Sequence, residues 1–125
     1  MRLLLVEDNE VYRSTLELLL HGRSGLVVVG SVPAGDEAAA AAQLLHPDVV
    51  LMDFRLPGLD GAQATAAVLV ASPDAAVICL TAEATDADRR AVLAAGAVGL
   101  VEKGAPIDDL VLAIQSASHR GGQPT

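Results

Sequence analysis

Asp53 closes the apolar run Val49-Val50-Leu51-Met52, and three other runs in the chain finish in the same way on reactive polar residues. Leu3-Leu4-Leu5-Val6 leads into Glu7-Asp8, Ile78-Cys79-Leu80 into Thr81, and Leu100-Val101 into Glu102-Lys103. As neighbouring parallel strands, these runs bring carboxylates, a hydroxyl and an ammonium to one edge of one sheet. Glu7, Asp8 and Asp53 would then repel one another by roughly 3 kcal/mol per pair at an effective dielectric of about 20. A hard divalent cation offsets that repulsion, and Mg²⁺ in particular takes one or two carboxylates, keeps waters and leaves positions for a phosphate; Mn²⁺ is the other candidate. With such an ion in place, the Asp53 carboxylate can attack a phosphorus atom whose oxygens are neutralised by the metal and by Lys103. Thr81 can donate its hydroxyl to a phosphoryl oxygen, and Ala82 beside it is small enough to admit the group. Singly, each residue has an ordinary role as a strand end, a cap or a solvated side chain; it is their coincidence at matching strand ends that points to chemistry.

The elements that must position these residues alternate along the whole chain, the pattern of an α/β domain with a mostly parallel sheet. Strands are expected at about 2–6, 26–31, 48–52, 76–80 and 98–101, and helices at about 10–20, 34–45, 61–71, 85–95 and 106–117. Near-continuous apolar strands suit burial on both faces. In the last helix Ile107, Leu110, Val111 and Ile114 form one stripe at i, i+3, i+4 and i+7. Pro106 can open that helix, Asp108 and Asp109 suit its first turn, and Gly96 suits a left-handed cap after the fourth. The right-handed crossover rule favours strand order 2-1-3-4-5, with strands one and three flanking the crevice at the carboxyl ends where ligands bind. Residues 118–125 are polar and aperiodic and read as a linker-like tail.

Composition narrows the function classes. A chain of 125 residues is one domain with room for a single core, and one cysteine allows no internal disulfide. Cys79 lies inside an apolar run and reads as a small buried hydrophobe. The net charge of −8 argues against gripping nucleic acid with this segment, and no apolar stretch approaches the roughly 20 residues of a membrane span. A cytoplasmic setting, without membrane attachment, is the expectation. The turn Val6-Glu7-Asp8-Asn9-Glu10 has no glycine and repels phosphate unless a metal intervenes, which excludes a dinucleotide cradle or a P-loop there.

Glu7-Asp8, Asp53 followed by Pro57-Gly58-Leu59-Asp60-Gly61, Leu80-Thr81-Ala82, and Gly96-Ala97 leading into Lys103 together resemble the receiver domain of two-component response regulators. The likeness covers residues 1 to about 117, and the acidic pair written Glu-Asp with Lys-Gly-Ala after the last strand is most similar to the NarL/FixJ (LuxR-type) branch. It implies a flavodoxin-like, CheY-like (βα)5 fold with doubly wound parallel sheet. It also implies phosphoryl transfer to Asp53 from a sensor histidine kinase or a small phosphodonor such as acetyl phosphate. Asp8, Asp53 and the backbone carbonyl of Arg55 would hold Mg²⁺ directly, and Glu7 through water. Thr81 would swing toward the aspartyl phosphate while Lys103 pairs with it, shifting the surface of the fourth helix, fifth strand and fifth helix. The protein would be a phosphoacceptor rather than a turnover enzyme, with a homodimer as a further expectation. Any DNA would be bound only through a domain beyond this chain.

Two departures bear on that reading. Three residues before the lysine, where the family usually carries Tyr or Phe, stands Leu100; the only aromatic residues, Tyr12 and Phe54, are not placed for that role. Arg55 and Glu83, two residues past Asp53 and Thr81, are expected to project over the site, where an ion pair between them could set the lifetime of the phosphoryl group. Three alternatives stay open beside the regulatory half of a transcription factor: a stand-alone receiver, a degenerate receiver, and a Mg²⁺-dependent phosphohydrolase of the haloacid dehalogenase kind. The last needs an Asp two residues after the nucleophile, where this chain has Arg55.

Overall fold

The computed structural model describes residues 1–23 and 25–121. Five strands, β1 (Arg2–Val6), β2 (Val27–Val32), β3 (Val49–Asp53), β4 (Ala76–Thr81) and β5 (Gly99–Glu102), form one sheet in the order β2-β1-β3-β4-β5. Every neighbouring pair is parallel. The helices between and after them are α1 (Glu10–Leu20), α2 (Ala38–Leu45), α3 (Gly61–Ala71), α4 (Asp86–Ala94) and α5 (Ile107–Gly121).

Strand periodicity divides the core into two layers. Leu3, Leu5, Val49, Leu51, Ile78 and Leu80 face Leu16 and Leu20 of α1 and Leu110, Val111 and Ile114 of α5. Their alternates Leu4, Val6, Val50, Met52, Val77 and Cys79 face Ala38 and Ala42 of α2, Ala64 and Val68 of α3, and Val92 of α4. Because both faces are covered, the central strands must be apolar at every position, which is why they read as continuous runs. Leu3, Leu4 and Leu5 are wholly buried, and each such side chain contributes about 1.5–3 kcal/mol relative to exposure.

The helix starts follow from capping. Asn9 accepts from the Tyr12 amide at 2.9 Å, and Thr85 accepts from the Asp88 amide at 3.0 Å. Asp60 and Gln63 satisfy one another's backbone amides as a capping box at α3. Pro106 stands one residue before α5, its carbonyl accepting from Asp109 and Leu110, rather than inside the helix as the sequence suggested. Gly96, with φ +108°, reverses the chain after α4 in a conformation that a side chain would strain.

Two boundaries differ from expectation by more than one residue. The stretch expected as one helix from 34 splits into a 3₁₀ turn, Gly35–Glu37, and α2, as the Gly35 amide reaches the Pro57 carbonyl at 3.3 Å and tightens the entry. At the other end α5 runs on through residues 118–121 of the expected tail; residues 122–125 lie outside the described residues. No helix among the described residues is long and apolar enough to cross a membrane.

Candidate functional site

Sheet register assembles the site. Val6 pairs with Met52, so the next residues along, Glu7 and Asp53, emerge side by side at the carboxyl edge. Asp53 pairs with Leu80 and Thr81 with Glu102, which brings Thr81 and then Lys103 to the same edge. Backbone bonds carry the register past the strand ends: Phe54 donates to the Leu80 carbonyl at 2.8 Å and Lys103 to the Thr81 carbonyl at 2.7 Å. Helix α3 is docked directly on this edge. The Gly61 amide donates to the Phe54 carbonyl at 2.8 Å, and a Cβ on Gly61 would lie 2.6 Å from Phe54 Cα and 2.8 Å from the Asp53 carbonyl oxygen. Only glycine permits that approach.

Ligand atoms of Glu7, Asp8 and Asp53 all lie within 4.8 Å of one another. Glu7 is 2% exposed and Asp53 5%, whereas Asp8 is open to solvent. Lys103 supplies the countercharge: its Nζ lies 2.7 Å from Glu7 Oε1 and 3.3 Å from Asp53 Oδ1. The Arg55 amide donates to Asp53 Oδ1 at 3.2 Å, and the Asn9 amide to Glu7 Oε2 at 3.0 Å. Thr81 is buried, and its hydroxyl donates to the Glu83 carbonyl at 3.2 Å.

One ammonium does not balance three carboxylates, two of them buried. Burial, followed by the hydrogen bond and charge of Glu7, pushes the Asp53 carboxyl up to about 7, against the opposing pull of Lys103 and the Arg55 amide. For Lys103, burial disfavours the ammonium, but the hydrogen bond to Glu7 and the charges of Asp53 and Glu7 outweigh it and hold the group above its ordinary value. The cluster therefore has a deficit of positive charge and an excess of hard oxygen donors, which is what a small divalent cation requires.

A family profile described as the response regulator receiver domain matches residues 3–115. The chain belongs to this family. Receivers of this kind are phosphorylation-controlled signalling domains, and they bind Mg²⁺ at an acidic pocket. This receiver is 39% identical over 114 residues to the response regulator GacA of Pseudomonas viridiflava, covering 91% of this chain and 53% of that protein. It thus spans about half the length of such relatives. Among solved structures, a LuxR-family two-component response regulator from Aurantimonas sp. SI85-9A1 superposes with TM-score 0.90 at 30% identity, covering 95% of this chain and 85% of that one. The receiver domain of sensor histidine kinase PA1611 from Pseudomonas aeruginosa PAO1, with a magnesium ion coordinated in its active-site cleft, superposes with TM-score 0.81 at 35% identity over 94% of this chain and 96% of that one. The fold and the NarL/FixJ-type likeness expected from the motifs both hold.

Of the residues singled out in the sequence, the receiver fold brings Glu7, Asp8, Asp53 and Lys103 into one cluster and sets Thr81 at its margin. Arg55 and Glu83 are not paired with one another: no ion pair joins them among the described residues, and the Arg55 guanidinium lies 5.6 Å from the centre of the Phe54 ring. Both side chains are exposed, so water competes for each charge, and Glu83 is tied to the site through its carbonyl. Ala82 is exposed beside Thr81. Leu100 is 6% exposed and packs inward in the layer that holds Cys79, Val92 and Ala97.

Sequence reasoning missed three contributors. Asn9 caps α1 and also holds Glu7 through its amide. Arg13 donates to the Glu7 carbonyl at 2.8 Å. The Tyr12 ring receives the Lys103 ammonium, Nζ lying 4.7 Å from its centre. Their spacing on the first turns of a helix that directly follows Glu7-Asp8 was the available signal. Cys79, by contrast, meets expectation as a buried thiol, pushed up to about 11 chiefly by burial and beside the Thr65 hydroxyl at 3.5 Å.

Proposed function

We propose that Asp53 is the phosphoryl acceptor of this receiver and that the chain is the regulatory half of a NarL/FixJ-type transcriptional regulator. The observation that carries the reading is a buried carboxylate 3.3 Å from an ammonium and within 4.8 Å of two further carboxylates. Asp8, Asp53 and the Arg55 carbonyl would hold Mg²⁺ or Mn²⁺, with Glu7 acting through water. The donor set suits it, being all oxygen and short of positive charge. When bound, the ion neutralises phosphoryl oxygens and so favours attack on phosphorus.

The chain's own residues do the rest. Asp53 Oδ attacks the phosphorus of a phosphohistidine or acyl phosphate, and the bond from phosphorus to the donor nitrogen or oxygen breaks with its electron pair leaving on the donor. The Arg55 amide orients Oδ1, and Lys103 is close enough to meet the incoming oxygens without leaving the cleft. Exchange of the Thr81 hydrogen bond from the Glu83 carbonyl to the phosphoryl group would relay the event to the loop before α4.

A sensor histidine kinase as donor, a cytoplasmic setting, a homodimer, and DNA contact through a following domain belong to this reading, as does a division into receiver and linker, with the boundary moved from 117 to the end of α5 at Gly121. The inward Leu100 favours one variant, a receiver whose output does not use a moving aromatic ring. A phosphohydrolase is disfavoured because Arg55 offers no carboxylate to protonate a leaving group.

Incubation with acetyl phosphate and Mg²⁺ tests the proposal. Intact-mass analysis should show one added phosphoryl group, lost in Asp53→Asn. Absence of labelling in the parent chain, or undiminished labelling in the variant, would overturn it.

A further inference from the structure

Four contacts around Glu7 close into a ring. Glu7 Oε2 accepts from the Asn9 amide at 3.0 Å, and Asn9 Oδ1 accepts from the Tyr12 amide at 2.9 Å. The Tyr12 ring centre lies 4.7 Å from Lys103 Nζ, and that Nζ returns to Glu7 Oε1 at 2.7 Å. The Tyr12 backbone is thus fixed by the same helix cap that follows the acidic pair. Its half-buried ring lines a small cavity of about 80 Å³ between α1 and α5, together with Lys103, Leu16 and Leu110.

We propose that Tyr12 is a positioning residue for Lys103, its π face holding the ammonium at the mouth of the cleft between Glu7 and Asp53. The proposal deepens the reading of Asp53 as acceptor and rests on it. A lysine side chain has four rotatable bonds, and a lysine held only by carboxylates would lose Asp53 to a bound metal and share Glu7 with the metal's water. An aromatic face attracts a cation without competing for the metal, because it presents a quadrupole rather than an oxygen lone pair. The ring therefore keeps Lys103 within reach of the phosphoryl oxygens in the state where its carboxylate partners are engaged elsewhere. The Tyr12 hydroxyl makes no hydrogen bond to the protein among the described residues, so the ring alone carries the role.

The test uses the intact 125-residue chain. In the unphosphorylated protein the Lys103 ε-methylene protons should be shifted upfield by the ring current, a shift kept in Tyr12→Phe and lost in Tyr12→Leu. Phosphorylation by acetyl phosphate should slow about three- to fivefold in Tyr12→Leu, with Tyr12→Phe restoring the rate. Tyr12 is the only tyrosine and the chain has no tryptophan, so its emission reads the contact directly. Lys103→Met should change that emission even if Tyr12→Leu fails to fold. An unshifted Lys103 in the parent, an emission indifferent to Lys103→Met, or equal labelling rates in parent and Tyr12→Leu would overturn the inference. A parent chain that takes no phosphoryl group would instead remove the reading of Asp53 beneath it, while the ring-current shift would still report the contact.

Discussion

Lys103 sits closer to Glu7 than to Asp53, at 2.7 Å against 3.3 Å. The ammonium thus spends its strongest interaction on the residue expected to reach the metal only through water. Asp53, desolvated by burial and facing the Glu7 charge, is only partly compensated, and its carboxyl is pushed up to about 7.

Glu7→Gln should bring the Asp53 carboxyl down toward the ordinary range, since the hydrogen bond and charge of Glu7 stand next after burial among the causes raising it. The same change should weaken Mg²⁺ binding by roughly tenfold, through loss of the anion that would hold the metal's water. Carbonyl-carbon NMR of Asp53 against pH, and a Mg²⁺ titration followed by Tyr12 emission, check the two halves. An Asp53 midpoint that stays near 7 in Glu7→Gln would remove Glu7 as a cause.

Metal-free stability should fall as pH rises between about 4 and about 7. A carboxyl at about 7 in the fold and at its ordinary value of 3.8 when unfolded binds more protons in the native state across that window. Its contribution is complete below the unfolded value and is lost as pH passes through the folded one. The raised Lys103 acts outside this window, its contribution being lost only above its own folded value. Urea unfolding at pH 5 and pH 8 should show the drop, Asp53→Asn should flatten it, and saturating Mg²⁺ should restore stability at pH 8. A flat profile in the metal-free parent chain would contradict the assignment.

Gly61→Ala should cost about 2–4 kcal/mol and impair metal binding together with stability. The new methyl meets Phe54 Cα at 2.6 Å, and its three nearest atoms are all backbone, so relief requires α3 to move off the residues that present Asp53. Unfolding melts paired with a Mg²⁺ titration measure both effects. Wild-type stability in the variant would show that α3 can shift freely.

Leu100→Ala should destabilise the chain by about 2–4 kcal/mol, because the side chain is 6% exposed within the layer holding Val92 and Ala97. A loss below about 1 kcal/mol in denaturant unfolding would mean that Leu100 is not a fixed part of the core, and would return it to consideration as a mobile switch residue.

Strand and helix positions, the two-layer burial and the acidic edge were legible in the residues because each rests on short-range periodicity. Val49 through Met52 had to be a strand buried on both faces, and with strand order settled by crossover handedness, Glu7 and Asp53 had to meet. The fate of long side chains was not legible, because it depends on which of several partners is nearest in space. Arg55 could have met Glu83 and instead lies over Phe54. Lys103 could have stood in solvent and instead is shared among Glu7, Asp53 and a tyrosine 91 positions away in the chain. Backbone pattern is a local property that the order of residues determines. The choice among equivalent electrostatic partners is made only when the strand ends are held side by side, because only then do distance and burial rank the contacts open to a charge.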